Sequence, residues 1–281
     1  MKSVHVFFAG LFMLLAFNSN SYSQREEVYT PIHVKENRPV PYPYTREADV
    51  MWSKKVWRVM DLKEKMNLPY YYPLATIKNM NGDRMNLVSL ILMGIKEGLT
   101  VYSAKDFKNE FTEETRKDDV DKVLGGGVDS VMVNGQLQVV PKDIRPEEVT
   151  KMMIKEEWFF DRNYSTLQVR ILGLCPIRVS FKEVNGQPTD VQEQKRVCWI
   201  YYPDYRKLFA SHETFNPNNN SQSISFDDMF TQRRFSSYIY QESNAYDNRP
   251  IVDYARGMDV LYESERIKNY IFDFEHDLWE Y

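Results

Sequence analysis

Side chains that could do acid–base or metal chemistry are few in this chain, and their spacing does not favour it. Three of its four histidines, His33, His212 and His276, lie beyond the N-terminal apolar run, and none is spaced for metal binding with another histidine or a cysteine. Asp273, His276 and Asp277 could share one helical face, which is a ligand-like spacing. A polar helix end accounts for all three, so we predict no metal site.

Catalytic carboxylates and nucleophiles leave no clear pattern either. Glu156 and Glu157 point to opposite faces if their segment is a strand, so they cannot work as an acid pair. No G-x-S-x-G motif occurs, and the three glycines at 125–127 lack the Lys-Ser or Lys-Thr that a phosphate loop requires. We predict a protein that is not an enzyme and binds no cofactor. A carboxylate-dependent hydrolase of cell-wall glycan is the alternative.

Composition favours contact with other proteins. The net charge of −4, spread without long blocks, argues against a nucleic-acid or anionic-lipid surface as the main target. The 19 tyrosines are distinctive, because a tyrosine joins a large apolar body to a polar tip and suits surfaces that alternate between water and a partner. Ordinary core tyrosines explain some of them.

The N-terminus is typical of an exported protein. Lys2 precedes an apolar run at 4–17, and small residues follow, with a cleavage site predicted between Ser23 and Gln24. The run is short for a membrane span, and no cysteine lies near the cleavage site for lipid attachment. We therefore predict a signal peptide at 1–23 and no direct membrane insertion. The proline-rich residues 24–44 should form an extended arm.

The segment from residue 45 to 66 predicts a helix that begins at an N-cap, Thr45. Apolar residues recur there at spacings of three and four, and Trp52 falls on this stripe and should be core. Trp57 falls off the stripe and should contact a partner, although packing under a local loop is the alternative. The predicted interface residues are Trp57, Arg58, Tyr70, Tyr71 and Tyr72.

The rest of the chain mixes helical and strand patterns. Helices are predicted at 85–97, at 112–124, in "SFDDMFTQRRF" with a capping box of Ser225 and Asp228, and at 259–279. Strands are predicted at 99–103, in a hairpin at 128–140 around Asn134-Gly135, and from Leu167 to Phe181 with neighbours on both sides. The fold class is α+β, an antiparallel sheet flanked by helices. Residues 45–281 form one domain, which could divide into a helical lobe at 45–127 and a strand-rich lobe at 128–281.

The two cysteines are predicted to form a disulfide. A hairpin around residues 185–188 would pair residues whose numbers add up to about 373, which places Cys175 opposite Cys198. An exported protein meets an oxidising compartment, which favours the bridge. Two buried free thiols are the alternative, because Pro176 and Pro188 disturb regular pairing.

The stretch "ADVMWSKKVWRVMDLKEKMNLPYYYP", followed by "NLVSLILMGIKEG", resembles the N protein family of gliding motility and type IX secretion (GldN, PorN). The resemblance continues more weakly through "EEWFFDR", "VRILGLCPIR" and "CWIYYPDYRK". It implies a structural subunit of a periplasmic ring, held at the outer membrane by a lipoprotein partner, the K protein. It also implies communication with the inner-membrane motor of the L and M proteins, and no catalytic role.

Overall fold

The structure is a computed structural model that describes residues 36–77, 84–105, 110–133, 136–184, 187–216, 219 and 224–278. The predicted signal peptide and arm residues 24–35 lie outside these ranges. So do the predicted turns at 134–135 and 185–186.

The described chain contains six α-helices and ten strands. The helices are α1 (Leu68–Tyr71), α2 (Leu87–Lys96), α3 (Lys117–Val123), α4 (Tyr202–Ala210), α5 (Phe226–Thr231) and α6 (Met258–Asp277). The first strands are β1 (Val50–Asp61), β2 (Gly127–Val133), β3 (Gln136–Lys142), β4 (Val149–Asp161) and β5 (Thr166–Val184). The later strands are β6 (Gln187–Arg196), β7 (Ile200–Tyr201), β8 (Glu213–Thr214), β9 (Ile224–Ser225) and β10 (Tyr238–Glu242).

One antiparallel sheet organises the fold. Its strands lie in the order β10-β1-β4-β5-β6, and the short β7 also pairs with β5. Two small hairpins, β2-β3 and β8-β9, stand apart from it. The mixed α+β class predicted from the sequence is confirmed. Both halves of the chain contribute strands to the sheet, since the N-terminal β1 pairs with β4 on one side and with the C-terminal β10 on the other.

The segment predicted as a helix at 45–66 is a strand instead. Val50 to Asp61 pairs along its whole length with β4, and Thr45 accepts a hydrogen bond from Arg170 rather than capping a helix. The stripe was misleading because both faces of the sheet are covered here, so neighbouring residues such as Val56 and Trp57 are both buried. Residues 56–60 of β1 have no wet face, whereas Met51, Ser53 and Lys55 are exposed, so the strict alternation that identifies a strand is lost in the second half of β1.

The local signals elsewhere were more reliable. Helix α2 begins at Asn86, whose side chain accepts from the Ser89 backbone at 2.7 Å, and Gly98 follows it with a φ of +95°. The predicted capping box of Ser225 and Asp228 opens α5, and the predicted hairpin strands form β2 and β3. The strand predicted at 99–103 is reduced to single bridges at Tyr102, and the helix at 112–124 is shorter than predicted. Helix α4 was not predicted.

Two apolar layers cover the sheet. The larger lies under α1, α2, α4 and α5 and contains sheet residues such as Met60, Ile154 and Leu174. The smaller lies on other sheet residues, among them Trp57, Met153 and Cys175, and buries Trp199. Helix α6 packs separately against β1 and β10. Together these layers cover both sides of β1 in its second half, at residues 56–60.

The predicted disulfide is wrong, because Cys175 and Cys198 are both free thiols. The predicted register is confirmed further along β5, where Ile177 lies opposite Arg196. However, β6 ends there, and β7 then pairs with β5 in a register that is shifted by one residue, with Leu174 opposite Ile200. A one-residue shift turns side chains to the other face of a sheet. Cys175 therefore lies in the smaller layer and Cys198 in the larger.

Candidate docking surface

The three consecutive tyrosines have three different environments. Tyr70 is fully buried in the larger layer, 5.1 Å from the Phe230 ring between centroids, and burial raises its pKa. Tyr71 is also buried, and its hydroxyl donates to the Glu147 carbonyl at 3.0 Å. Tyr72 is 49% exposed. Of the three, only Tyr72 presents its ring to solvent.

A buried asparagine fixes the turn that leads to these tyrosines. The Asn67 side-chain nitrogen donates to the carbonyls of Asp61 at 2.6 Å and Ser236 at 2.9 Å. Its side-chain oxygen accepts from the Ser236 backbone at 2.9 Å. The start of α1 is thus tied to the chain just before β10, and the position of Tyr72 is set by these bonds.

Tyr72 lies at a groove of about 630 Å³ that we name the tyrosine groove. Its apolar lining residues are Met66, Leu68, Pro69, Tyr72, Phe215, Ile224 and Met229. The other lining residues are Lys65, Asn216 and Arg234, so both charged side chains are basic. Grooves of this size with apolar walls commonly receive a side chain or a helix of a partner.

Trp57 does not lie in this groove. It is 3% exposed, and its indole nitrogen donates to the Glu110 carboxylate at 2.7 Å. The same carboxylate binds Lys155, whose ammonium lies 4.9 Å above the Trp57 ring. The expected placement of the two tryptophans is therefore reversed, since Trp52 is only half-buried and stacks on Phe274 with centroids 4.5 Å apart. Trp57 is buried, as in the alternative given for it, but it packs beside Glu110, which is distant in the sequence, and not under a local loop.

Arg58 is half-buried beside β10. Its guanidinium donates to the Ser237 hydroxyl at 2.9 Å, and burial lowers its pKa. Of the predicted interface residues, the structure therefore leaves Tyr72 as the one that is exposed and lines an apolar groove.

The end of the proline-rich arm rests on the body of the protein. The Tyr42 ring lies between two arginines, 4.1 Å from the guanidinium carbon of Arg206 and 5.1 Å from that of Arg170. Arg170 also donates to the Pro43 carbonyl at 2.8 Å. Burial raises the pKa of Tyr42. These contacts hold residues 42 and 43 against the body of the protein.

Arg206 is held in place by a buried carboxylate. Asp227 at the start of α5 accepts from Arg206 Nε at 3.0 Å, from Arg206 Nη2 at 2.9 Å and from the Tyr202 hydroxyl at 2.7 Å. Burial next to this carboxylate raises the pKa of Tyr202. The sequence offered no signal for this network, because α4 was not predicted and its partners are distant in sequence.

No catalytic constellation emerges from the residues singled out in the sequence. Glu156 is fully buried and paired with Arg233 at 2.9 Å, and Trp158 donates to it at 3.0 Å. Glu157, its neighbour on β4, is half-buried. Within the described residues, no group of three or more histidines, cysteines or carboxylates could hold a metal ion. No helix in the described part of the chain is long and apolar enough to cross a membrane.

Most of the chain matches a known protein family. The family described as gliding motility associated protein GldN matches residues 45–280, which is most of the chain. No curated protein matches the chain. The match begins at the end of the arm and includes every element of the sheet. The chain therefore belongs to the GldN family of gliding motility associated proteins.

Proposed function

We propose that the chain is a structural subunit of a periplasmic ring in the type IX secretion and gliding motility machinery. Membership of the GldN family makes it a component of that machinery. The tyrosine groove carries the proposal of a docking role, because it presents an apolar surface that the described residues do not cover. Soluble proteins keep such surfaces mainly where a partner covers them.

The proposed partners are an outer-membrane lipoprotein, the K protein of the same system, and the inner-membrane motor component, the M protein. The lipoprotein would hold the subunit at the outer membrane, since the sequence offers no lipid-attachment cysteine near the predicted cleavage site. The proposed location of the subunit is therefore the periplasm, at the outer membrane. The proposal assigns no catalysis to it.

An affinity-tagged chain isolated from solubilised outer membranes tests this function. We expect a large assembly in which the lipoprotein is present in constant ratio to the tagged chain. A chain that elutes alone, near its mass of 33.4 kDa less the leader, would overturn the proposal. The control is the same purification from cells that lack the lipoprotein, where the chain should be lost from the outer-membrane fraction.

A further inference from the structure

The outer face of α6 carries large apolar side chains. Met258, Leu261, Tyr262 and Phe272 are each at least 50% exposed. The first three are three and four residues apart, and Phe272 follows Leu261 by about three turns, so all four point to one side of the helix. That side is directed away from the sheet.

The inner face of α6 already attaches the helix to the body. Ile267 and Ile271 are buried against β1 and β10, and the Ser264 hydroxyl accepts from the Ile239 backbone at 2.9 Å. The fold therefore does not need the apolar residues on the outer face. Because α6 is apolar on two sides, its outer side leaves a second apolar surface exposed to solvent, which a partner can bury.

The C-terminal end of α6 is acidic. Asp273, Glu275 and Asp277 are exposed there, and the basic residue in the last turn is His276. The helix dipole places negative charge at this same end, so three carboxylates are unfavourable in the isolated chain. Cations supplied by another surface would offset this repulsion.

The tyrosine groove has the complementary properties. Its lining is mainly apolar, and its charged lining residues are Lys65 and Arg234. The groove and α6 share no residue, so they are separate patches on one molecule.

We propose that α6 of one copy of the chain docks in the tyrosine groove of the next copy. Phe272 inserts between the apolar walls, and the acidic end of α6 lies beside Lys65 and Arg234. Because the two patches differ, the contact is head-to-tail, and repeating it builds a ring or an open filament. The inference rests on the proposed function, to which it adds the contact between neighbouring subunits.

Charge reversal on each side tests the contact by sedimentation of the purified exported chain without the lipoprotein. The groove variant is Lys65→Glu with Arg234→Glu, and the helix variant is Asp273→Lys with Glu275→Lys. The wild-type chain should self-associate as concentration rises, and each variant alone should do so about 100-fold more weakly. An equimolar mixture should recover assemblies larger than a dimer, in which the two variants alternate, because the acidic helix of the groove variant meets a native groove and the reversed helix meets a reversed groove. Tyr164→Asp, at an exposed turn, is the control and should behave as wild type.

Other results would overturn the inference. A wild-type chain that stays monomeric at the highest concentration it tolerates excludes the contact, and so does a mixture that remains monomeric. Self-association that survives in the groove variant, together with loss of the lipoprotein in the pull-down, would assign the groove to the lipoprotein. In that case the proposed function stands and only this inference fails. Self-association as expected with no lipoprotein in the pull-down would instead reject the proposed function.

Discussion

Replacing Asp227 with alanine should remove much of the stability of the fold and loosen the arm. The carboxylate is buried and accepts three hydrogen bonds, two from Arg206 and one from Tyr202. The Arg206 side chain is only 7% exposed, so in this variant its positive charge would remain buried without the carboxylate of Asp227. Breaking a buried pair on one side costs about 3–5 kcal/mol. For a domain of this size that corresponds to a fall in Tm of roughly 10 °C.

Thermal unfolding measures this loss, and two further variants show its cause. Asp204→Ala removes an exposed carboxylate from the first turn of the same helix as Arg206 and should cost less than about 1 kcal/mol. The double variant Arg206→Met with Asp227→Leu removes both charges and should recover most of the loss. Hydrogen exchange at residues 42–46 should speed up in Asp227→Ala, because Arg206 no longer has a fixed position beneath Tyr42.

Two results would refute this reasoning. An Asp227→Ala protein within about 1 kcal/mol of wild type would mean that the buried pair is not important to the fold. A double variant as unstable as the single one would mean that the loss comes from packing and not from the unpaired charge.

Three further predictions follow from the described contacts. Trp57→Ala should lower the free energy of unfolding by about 3–5 kcal/mol, because the ring is 3% exposed. Tyr164→Ala, at an exposed turn, should lower it by less than about 1 kcal/mol. Similar losses for the two variants in urea unfolding would contradict the burial of Trp57. Cys175 and Cys198 should resist alkylation in the native chain, since burial raises the pKa of both thiols, that of Cys198 to about 12. In denaturant without reductant, intact-mass measurement should show both cysteines alkylated. An unmodified denatured chain would instead indicate a bridge. Burial opposes ionisation of Glu148, but the neighbouring arginines outweigh this effect and lower the pKa of Glu148. The stability that the ionised Glu148 contributes is therefore complete above the ordinary pKa of 4.5 and is lost as the pH falls below that value. The difference in Tm between wild type and Glu148→Gln should therefore shrink below pH 4.5, and a constant difference would contradict this sign.

Elements with signals inside a single segment were predictable from the sequence. Helix α2 has an apolar run between Asn86 and Gly98, and α5 has a capping box that opens at Ser225. The long strand β5 alternates over many residues, and its register with β6 was predicted correctly from Ile177 to Phe181 but not beside the turn, where a shift follows Phe181. In each case the residues that decide the structure are neighbours in the chain.

Features that depend on distant segments were not predictable. Strand β1 resembles a helix because both of its faces are covered in its second half, and the burial of Trp57 depends on Glu110, far along the chain. The tyrosine groove joins residues 65–72 to residues 215–234, and no local pattern connects the two. The sequence indicated Tyr72 as a contact residue, but its opposite wall, including Phe215 and Met229, could only be found in the folded chain.

Secretion by living cells tests the docking role most directly. The only copy of the chain in the cell would carry Tyr72→Asp, which places a charge in the tyrosine groove, and a matched strain would carry Tyr164→Asp at an exposed turn. With both chains at wild-type abundance, we predict that Tyr72→Asp reduces secreted cargo to the level of cells lacking the protein and that Tyr164→Asp secretes normally. Normal secretion by the Tyr72→Asp strain at equal abundance would contradict the claim that this groove is a docking surface.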